Sequence, residues 1–370
     1  MILYSMILYI AVTAVCIAAA YFVNTEYSGM NLPSRRVGMC RQKLMNGVAL
    51  FAISVILTAL SALRIGIGND YWVYRYQFLT IWGNDTPVSY EIGFKYTALA
   101  LEKIFGFDNY RVVFAFFAVL TVAFMIKGVY ENAEWFMYSI FMLLACGYYL
   151  MSFDNVRYYL VLAMSLCALS KFCNKRYVAF FIWVLIASLF HKTILLIIPA
   201  YFVAYYLKWN KKTLWMIPAA TVALIVGKNV IRAFLFKFYP FYEGDLILDR
   251  GEISWANIAR CVAVLAMALI EYKTVKEDKR LEMWFNLNLF ATLLYAFGSY
   301  IPEISRVCYY MVVPQIFLVP ALIKRCPDKR RRIFWTVSVT AAFIGYFVFF
   351  LIKGAGSDVM ILPYLSWLYV

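Results

Sequence analysis

The sequence predicts an all-α integral membrane protein of about twelve transmembrane helices in one polytopic domain over residues 1–370, and three observations predict it. Hydrophobic residues make up 65% of the 370, with mean hydropathy +0.74, whereas soluble domains are about half apolar. Apolar runs recur at close to the roughly 20 residues that a helix needs to cross a bilayer. The greater part of the 35 lysines and arginines falls in alternate connections between those runs, as topology rules require. Nucleic-acid binding does not follow from the +15 net charge, because the charge is a topology signal.

The first predicted spans are Ile2–Tyr21, Leu44–Leu63, Arg111–Ile126, Trp135–Met151, Val156–Phe172, Tyr177–Phe190 and Thr193–Leu207. Five more follow at Thr213–Val230, Ser254–Tyr272, Met283–Tyr300, Val307–Ile323 and Ile333–Ile352. Between the second and third, Glu91–Phe105 carries a helical stripe of Ile92, Tyr96 and Leu99 but is broken by Glu91, Lys95, Glu102 and Lys103. It reads as an amphipathic helix lying on the outer surface. Met1–Tyr21 lacks a basic leader and is long enough to span, so no cleaved signal peptide is expected. The eight cysteines show no CxxC or other metal-ligand spacing.

Orientation follows from the basic loops. Arg35 to Lys43, Lys171 to Arg176, Lys208 to Lys212, Lys273 to Arg280 and Lys324 to Arg332 fall on one side, which is expected to be cytoplasmic. Both termini and the two larger connections, 64–110 and 229–253, are then expected outside.

That topology sets four polar clusters at one outer level. They are Arg64, Asp70, Tyr71 and Tyr74 in RIGIGNDYWVYRYQF; Asp154, Asn155 and Arg157 in SFDNVRYY; His191 and Lys192 in LFHKTILLIIP; and Glu303 with Arg306 in IPEISR. Cations just inside apolar segments are costly and mark a pathway or a site. Together Arg64, Arg157, Lys192 and Arg306 would form an anion site with guanidinium forks suited to phosphate oxygens. The alternatives are that each cation snorkels to the interface as a helix-end anchor, that Asp70 shapes the turn after Gly68, and that His191 is a hydrogen-bonded structural residue. His191 is the only histidine, which excludes a multi-histidine metal site.

RIGIGNDYWVY from Arg64, NVRYY from Asn155, FHKTILLIIP from Phe190 and SRVCYY from Ser305 together resemble the EpsG family of bacterial exopolysaccharide polymerases, related to the Wzy-type O-antigen and capsule polymerases. The chain departs from that pattern at Asn69, where the family more often has Thr, and at Tyr158, where it more often has Gln. The resemblance implies a glycosyltransferase with a GT-C-like helical bundle in the bacterial plasma membrane. It implies an oligosaccharide repeat unit on undecaprenyl diphosphate as substrate, already flipped outward and joined to another lipid-linked chain. A flippase and a chain-length regulator of the same pathway would be its protein partners.

The reaction so implied suits the residues. A lipid diphosphate leaves as its negative charge grows, so fixed cations are the largest aid, and the candidates are Arg64, Arg157, Lys192 and Arg306. The attacking hydroxyl needs one base within reach; Asp70 is the first candidate, His191 the second and Glu303 the third. Tyr71, Tyr74 and Asn155 would bind saccharide or diphosphate, and no metal or other cofactor is expected. Two other functions use similar residues. A flippase or exporter of the same lipid-linked saccharide would show repeat halves and charges on both leaflets, and a membrane O-acyltransferase would use His191 as base but gives the arginines no task.

Overall fold

A computed structural model describes residues 1–25, 36–80, 91–106, 109–238, 253–301, 303–355 and 360–368. Much of the two predicted outer connections, 81–90 and 239–252, lies outside the described residues. Those described are helical or irregular, with one isolated β-bridge, Arg64 to Ser366, and no strand. The chain divides into two compact units, Met1–Ile194 with Pro327–Val370, and Leu195–Cys326.

In the first unit the helices are α1 (Ile2–Tyr21), α2 (Arg36–Ala62), α3 (Tyr71–Thr80), α4 (Ile92–Phe105), α5 (Tyr110–Asn132), α6 (Phe136–Ala145), α7 (Val156–Cys173) and α8 (Tyr177–Ser188), with Lys329–Gly354 completing it. Its core is the α5–α7 pair. A Cβ on Gly128 would stand 2.4 Å from Leu166 Cβ, so only glycine permits the observed approach of the two backbones. Asn132 Nδ2 donates to the Gly128 and Leu166 carbonyls at 2.7 and 2.9 Å, tying the helices by a buried polar bond. The most apolar 18-residue window of α7 is 83% buried, whereas those of α1 and Lys329–Gly354 are only 17% buried and present their apolar surface outward. That is the distribution expected where lipid replaces water around a bundle.

Among the described residues six helices are long and apolar enough to cross a membrane: Ile2–Tyr21, Arg41–Ala62, Tyr110–Asn132, Val156–Cys173, Ile304–Arg325 and Lys329–Gly354. Thr213–Val226 and Lys228–Lys237 make a seventh if the pair, bent by 70°, is one span. The remaining predicted spans are helical but differ from the sequence reading in length. Phe136–Ala145, Tyr177–Ser188, Lys192–Tyr206 and Trp255–Ile270 are all shorter than 18 residues, and Lys279–Phe297 carries three charged residues, Lys279, Arg280 and Glu282, in its first four positions. The run Trp135–Met151 breaks because Gly147 takes φ +78, a left-handed conformation that ends a helix cheaply only at glycine.

The predicted stripe of α4 is corrected by its packing. Phe94, Ala98 and Glu102 are the buried face, while Ile92 and Tyr96 are 65% and 64% exposed. The stripe Ile92, Tyr96, Leu99 has the same helical spacing as the buried one, so periodicity alone does not choose between them. The choice is made by Phe94, whose ring packs 5.0 Å from Phe117 of α5.

The second unit is built around Lys279–Phe297, which buries two asparagines completely. Asn286 donates to the Ala204 carbonyl at 2.8 Å and accepts from Trp209 Nε1 at 2.6 Å. Asn288 donates to the Cys261 carbonyl at 3.0 Å and accepts from Gln315 at 2.6 Å. These bonds fix the neighbouring helices in register, since an unpaired amide would be costly in such surroundings.

Candidate functional site

The site of the first unit grows from one loop and one helix N-terminus. α2 ends at Ala62, and Gly66 and Gly68 then bend the chain with φ +65 and +94. A Cβ on Gly68 would stand 2.3 Å from the Phe153 carbonyl oxygen, so the loop lies directly against the chain that leads into α7. Asp154 Oδ1 accepts from the backbone N–H groups of Asn69 at 2.8 Å and Asp70 at 3.4 Å. At the same junction Asn155 caps α7, its Oδ1 accepting from Tyr158 N–H at 3.0 Å, the usual work of an Asn at that position.

The other side of the loop is held by residues nearly 300 positions away. Ile65 N–H donates to the Leu365 carbonyl at 2.9 Å, Gly68 N–H to that of Met360 at 3.1 Å, and Trp367 N–H to that of Leu63 at 3.1 Å. Tyr364 adds a bond from its hydroxyl to the Leu60 carbonyl at 2.9 Å. The loop is therefore clamped between the α7 junction and the segment Met360–Leu368.

From this frame four predicted site residues join in a hydrogen-bonded chain. Asn155 Nδ2 donates to Asp70 Oδ2 at 3.1 Å. Tyr74 OH lies 3.3 Å from Asn155 Oδ1 and accepts from Arg157 Nε at 3.2 Å. Arg157 also pairs with Glu91 Oε2 at 2.6 Å, and its guanidinium lies over the Tyr74 and Phe94 rings at 5.8 and 5.3 Å. Tyr71 stacks on Phe114 at 4.7 Å; burial and the neighbouring Tyr110 hydroxyl push its phenol up to about 12, so it remains protonated.

Arg64 lies beneath the loop and is 3% exposed. It donates to the Ser61 carbonyl, to Ser61 Oγ at 3.0 Å and to the Phe153 carbonyl at 3.4 Å, between the Phe114 and Phe153 rings. Burial lowers its guanidinium to about 10, which leaves it cationic at neutral pH. His191 ends the break after α8: its Nδ1 is 2.8 Å from Thr193 Oγ1, and its ring meets the edge of Tyr158 at 5.6 Å. Lys192 opens the short 3₁₀ turn Lys192–Leu196 and is exposed. In the second unit, Glu303 and Arg306 pair with one another, Nε to Oε2 at 3.1 Å, with Glu303 in a left-handed conformation at φ 52.

Two contributors, Glu91 and Met360–Leu368, were not among the predicted polar clusters, and a third, Asp154, was named there without a task. Glu91 is the carboxylate partner of Arg157, Asp154 holds the loop amides, and Met360–Leu368 braces the loop from outside. Glu91 had a signal, as an acidic residue immediately before a helix. Asp154 stands beside Asn155 in the same motif, but its task depends on an 85-residue approach of Gly68 that no local pattern reveals. Among the described residues, no three His, Cys, Asp or Glu side chains come together as a metal-ligand set.

In a membrane helical protein, cations and a carboxylate gathered at helix ends mark a substrate or ion site. Residues 48–366 match the EpsG family, and the chain belongs to that family, the exopolysaccharide-polymerase family its motifs resemble. Neither a curated relative nor a solved structure matches it.

Proposed function

We propose that this protein polymerises undecaprenyl-diphosphate-linked oligosaccharide repeat units on the outer face of the bacterial plasma membrane, forming an exopolysaccharide, capsule or O-antigen type polymer without a metal ion. The bundle would be GT-C-like, with the shorter helices completing twelve crossings and both termini outside. The observation that carries this reading, within a polymerase family, is the chain Asp70, Asn155, Tyr74, Arg157. It joins one carboxylate to one guanidinium through groups whose donors and acceptors are mutually satisfied.

In the reaction, a hydroxyl of the acceptor saccharide attacks the anomeric carbon of the donor. A glycosidic C–O bond forms, and the bond from that carbon to the diphosphate oxygen breaks, its electron pair leaving with the diphosphate. The hydroxyl proton passes to Asp70, which Asn155 keeps in place, and His191 or Glu303 is the alternative base. Arg157 receives the growing charge, its fork exchanging Glu91 for phosphate oxygens while Tyr74 holds Nε. Lys192 adds positive charge within the first unit, and Arg306 of the second unit is paired with Glu303. Arg64, whose two terminal nitrogens already serve Ser61 and the Phe153 carbonyl, acts by fixing the loop that carries Asp70.

Purified protein mixed with a lipid-linked repeat unit tests this reading. A ladder of products spaced by one repeat is expected, with free undecaprenyl diphosphate released in proportion. Unchanged substrate that has merely crossed the bilayer of a proteoliposome would instead make the protein a flippase.

A further inference from the structure

The second unit contains a groove that the proposed reaction does not use. Its cavity is about 400 Å³, within the usual range of ligand sites. Leu214, Ile217, Leu265, Leu269, Phe285 and Leu289 make its wall. Trp209 and Tyr272 stand with them, and Lys211 and Lys276 supply the charge. Both lysines are exposed, and neither lies within an ion pair among the described residues; Lys276 Nζ sits 4.9 Å over the Tyr272 ring.

The order of these residues along their helices has meaning. Leu214 and Ile217 are at the start of one helical run, Leu265 and Leu269 at the end of Trp255–Ile270, and Phe285 and Leu289 in the first half of Lys279–Phe297. All lie near the basic connections Lys208–Lys212 and Lys273–Arg280. Two of the acidic groups there are engaged, Asp278 with Arg280 and Arg325 and Glu282 with Lys279, while Glu277 is exposed. Trp209 is fixed by its bond to Asn286, so that wall is preformed.

An apolar slot between helices of a membrane protein, aromatic side chains in its lining and two ammonium groups outside any ion pair among the described residues fit one chemistry. We propose that the groove binds an anionic phospholipid of the surrounding bilayer, an acyl chain lying along the leucines and the phosphate resting on Lys211 and Lys276. A soluble metabolite would require several polar partners inside the cavity, whereas the lining is apolar apart from Asn210 and the two lysines. A neutral lipid would leave the two lysines unused, and basic pockets between membrane helices select acidic headgroups.

The test uses the full-length protein in a neutral detergent, with bound lipid counted by native mass spectrometry. Phosphatidylglycerol and phosphatidylcholine of identical acyl chains are compared, and inorganic phosphate is added as a separate arm. Phosphatidylglycerol is expected to be retained preferentially, and Lys211→Gln with Lys276→Gln to lower that preference about tenfold. Lys211→Arg with Lys276→Arg should keep it, which separates charge from folding. Leu265→Trp, which fills the slot, should reduce retention of both lipids while leaving the lysines in place. Equal retention of the two lipids by the wild-type chain, an unchanged preference in the Gln variant, or displacement of the lipid by millimolar phosphate alone would overturn the proposal.

Discussion

Asp70 and Arg157 stand at the two ends of one hydrogen-bonded chain, so substitutions at each should fail in different ways. Asp70→Asn retains an oxygen for Asn155 to donate to but cannot take a proton. Lipid-linked substrate should still bind, and transfer should fall about 10²-fold or more. Binding lost together with turnover would make Asp70 a residue of loop structure only. Arg157→Lys retains the charge, yet one ammonium cannot serve Tyr74 and Glu91 from two nitrogens of a rigid fork. Most of the polymer yield should be lost, and wild-type yield would return Arg157 to the role of a helix-end anchor. The residue types of this chain were legible in the sequence, because cations and a carboxylate beside apolar runs are conspicuous. Their pairing was not: Glu91 was visible only as an interruption of a stripe, and Arg64 is spent on Ser61 nearby and on the Phe153 carbonyl and the Phe114 and Phe153 rings far away in sequence.

At the scale of elements, the loop after α2 depends on a backbone conformation as much as on side chains. Gly68→Ala would set a methyl against the Phe153 carbonyl at a left-handed φ, so the loop must move. A destabilisation of about 1–3 kcal/mol is expected, seen as a lowered unfolding temperature in detergent together with lost activity. Glycine there was readable as a turn, but the reason for it required the approach of the α7 junction. The membrane helices were found by their apolar runs, whereas α3, inside the predicted outer connection, and the breaks at Gly147 and near Gly227 were not, because α3 has no apolar run and hydrophobicity continues across the breaks. A second expectation concerns the connection before Lys279–Phe297. Burial alone would raise the Asp278 carboxyl, but hydrogen bonds from Arg280 and Arg325 outweigh it and hold the group at about 2, below its ordinary 3.8. Its contribution is therefore fully present above about pH 4 and is lost as pH falls through 2. Asp278→Asn should be less stable than wild type at pH 7, and the difference should narrow between pH 4 and pH 2.

For the whole molecule, the distribution of basic loops predicts which side faces the cytoplasm, and exposed positions on the described helices offer the means to check it. Native Cys326 is 2% exposed, so its silence toward a reagent would carry no information. Cysteine introduced at Lys103, exposed on α4, should react with a membrane-impermeant thiol reagent in intact cells. Cysteine at Arg330, exposed at the start of Lys329–Gly354, should react only after the membrane is opened. The reverse pattern would invert the topology and remove the outward site with it. The composition made the membrane class plain and the motifs made the family plain. The number of crossings depends on helices of 10–17 residues, for which apolarity and length point in different directions.

The clamp on the Gly66–Gly68 loop also sets a schedule. Its inner partners, Phe153 and Asp154, leave the ribosome soon after it, but its outer partners, Met360 and Leu365, follow roughly 290 residues later. At a synthesis rate of about 5–20 residues per second, that interval is about 15–60 s. During it the loop has only one of its two walls, and Asp70 has no fixed position from which to act. Under the proposed reaction the nascent protein is inert while it waits in the membrane, and competence arrives only once Met360–Leu368 has been made.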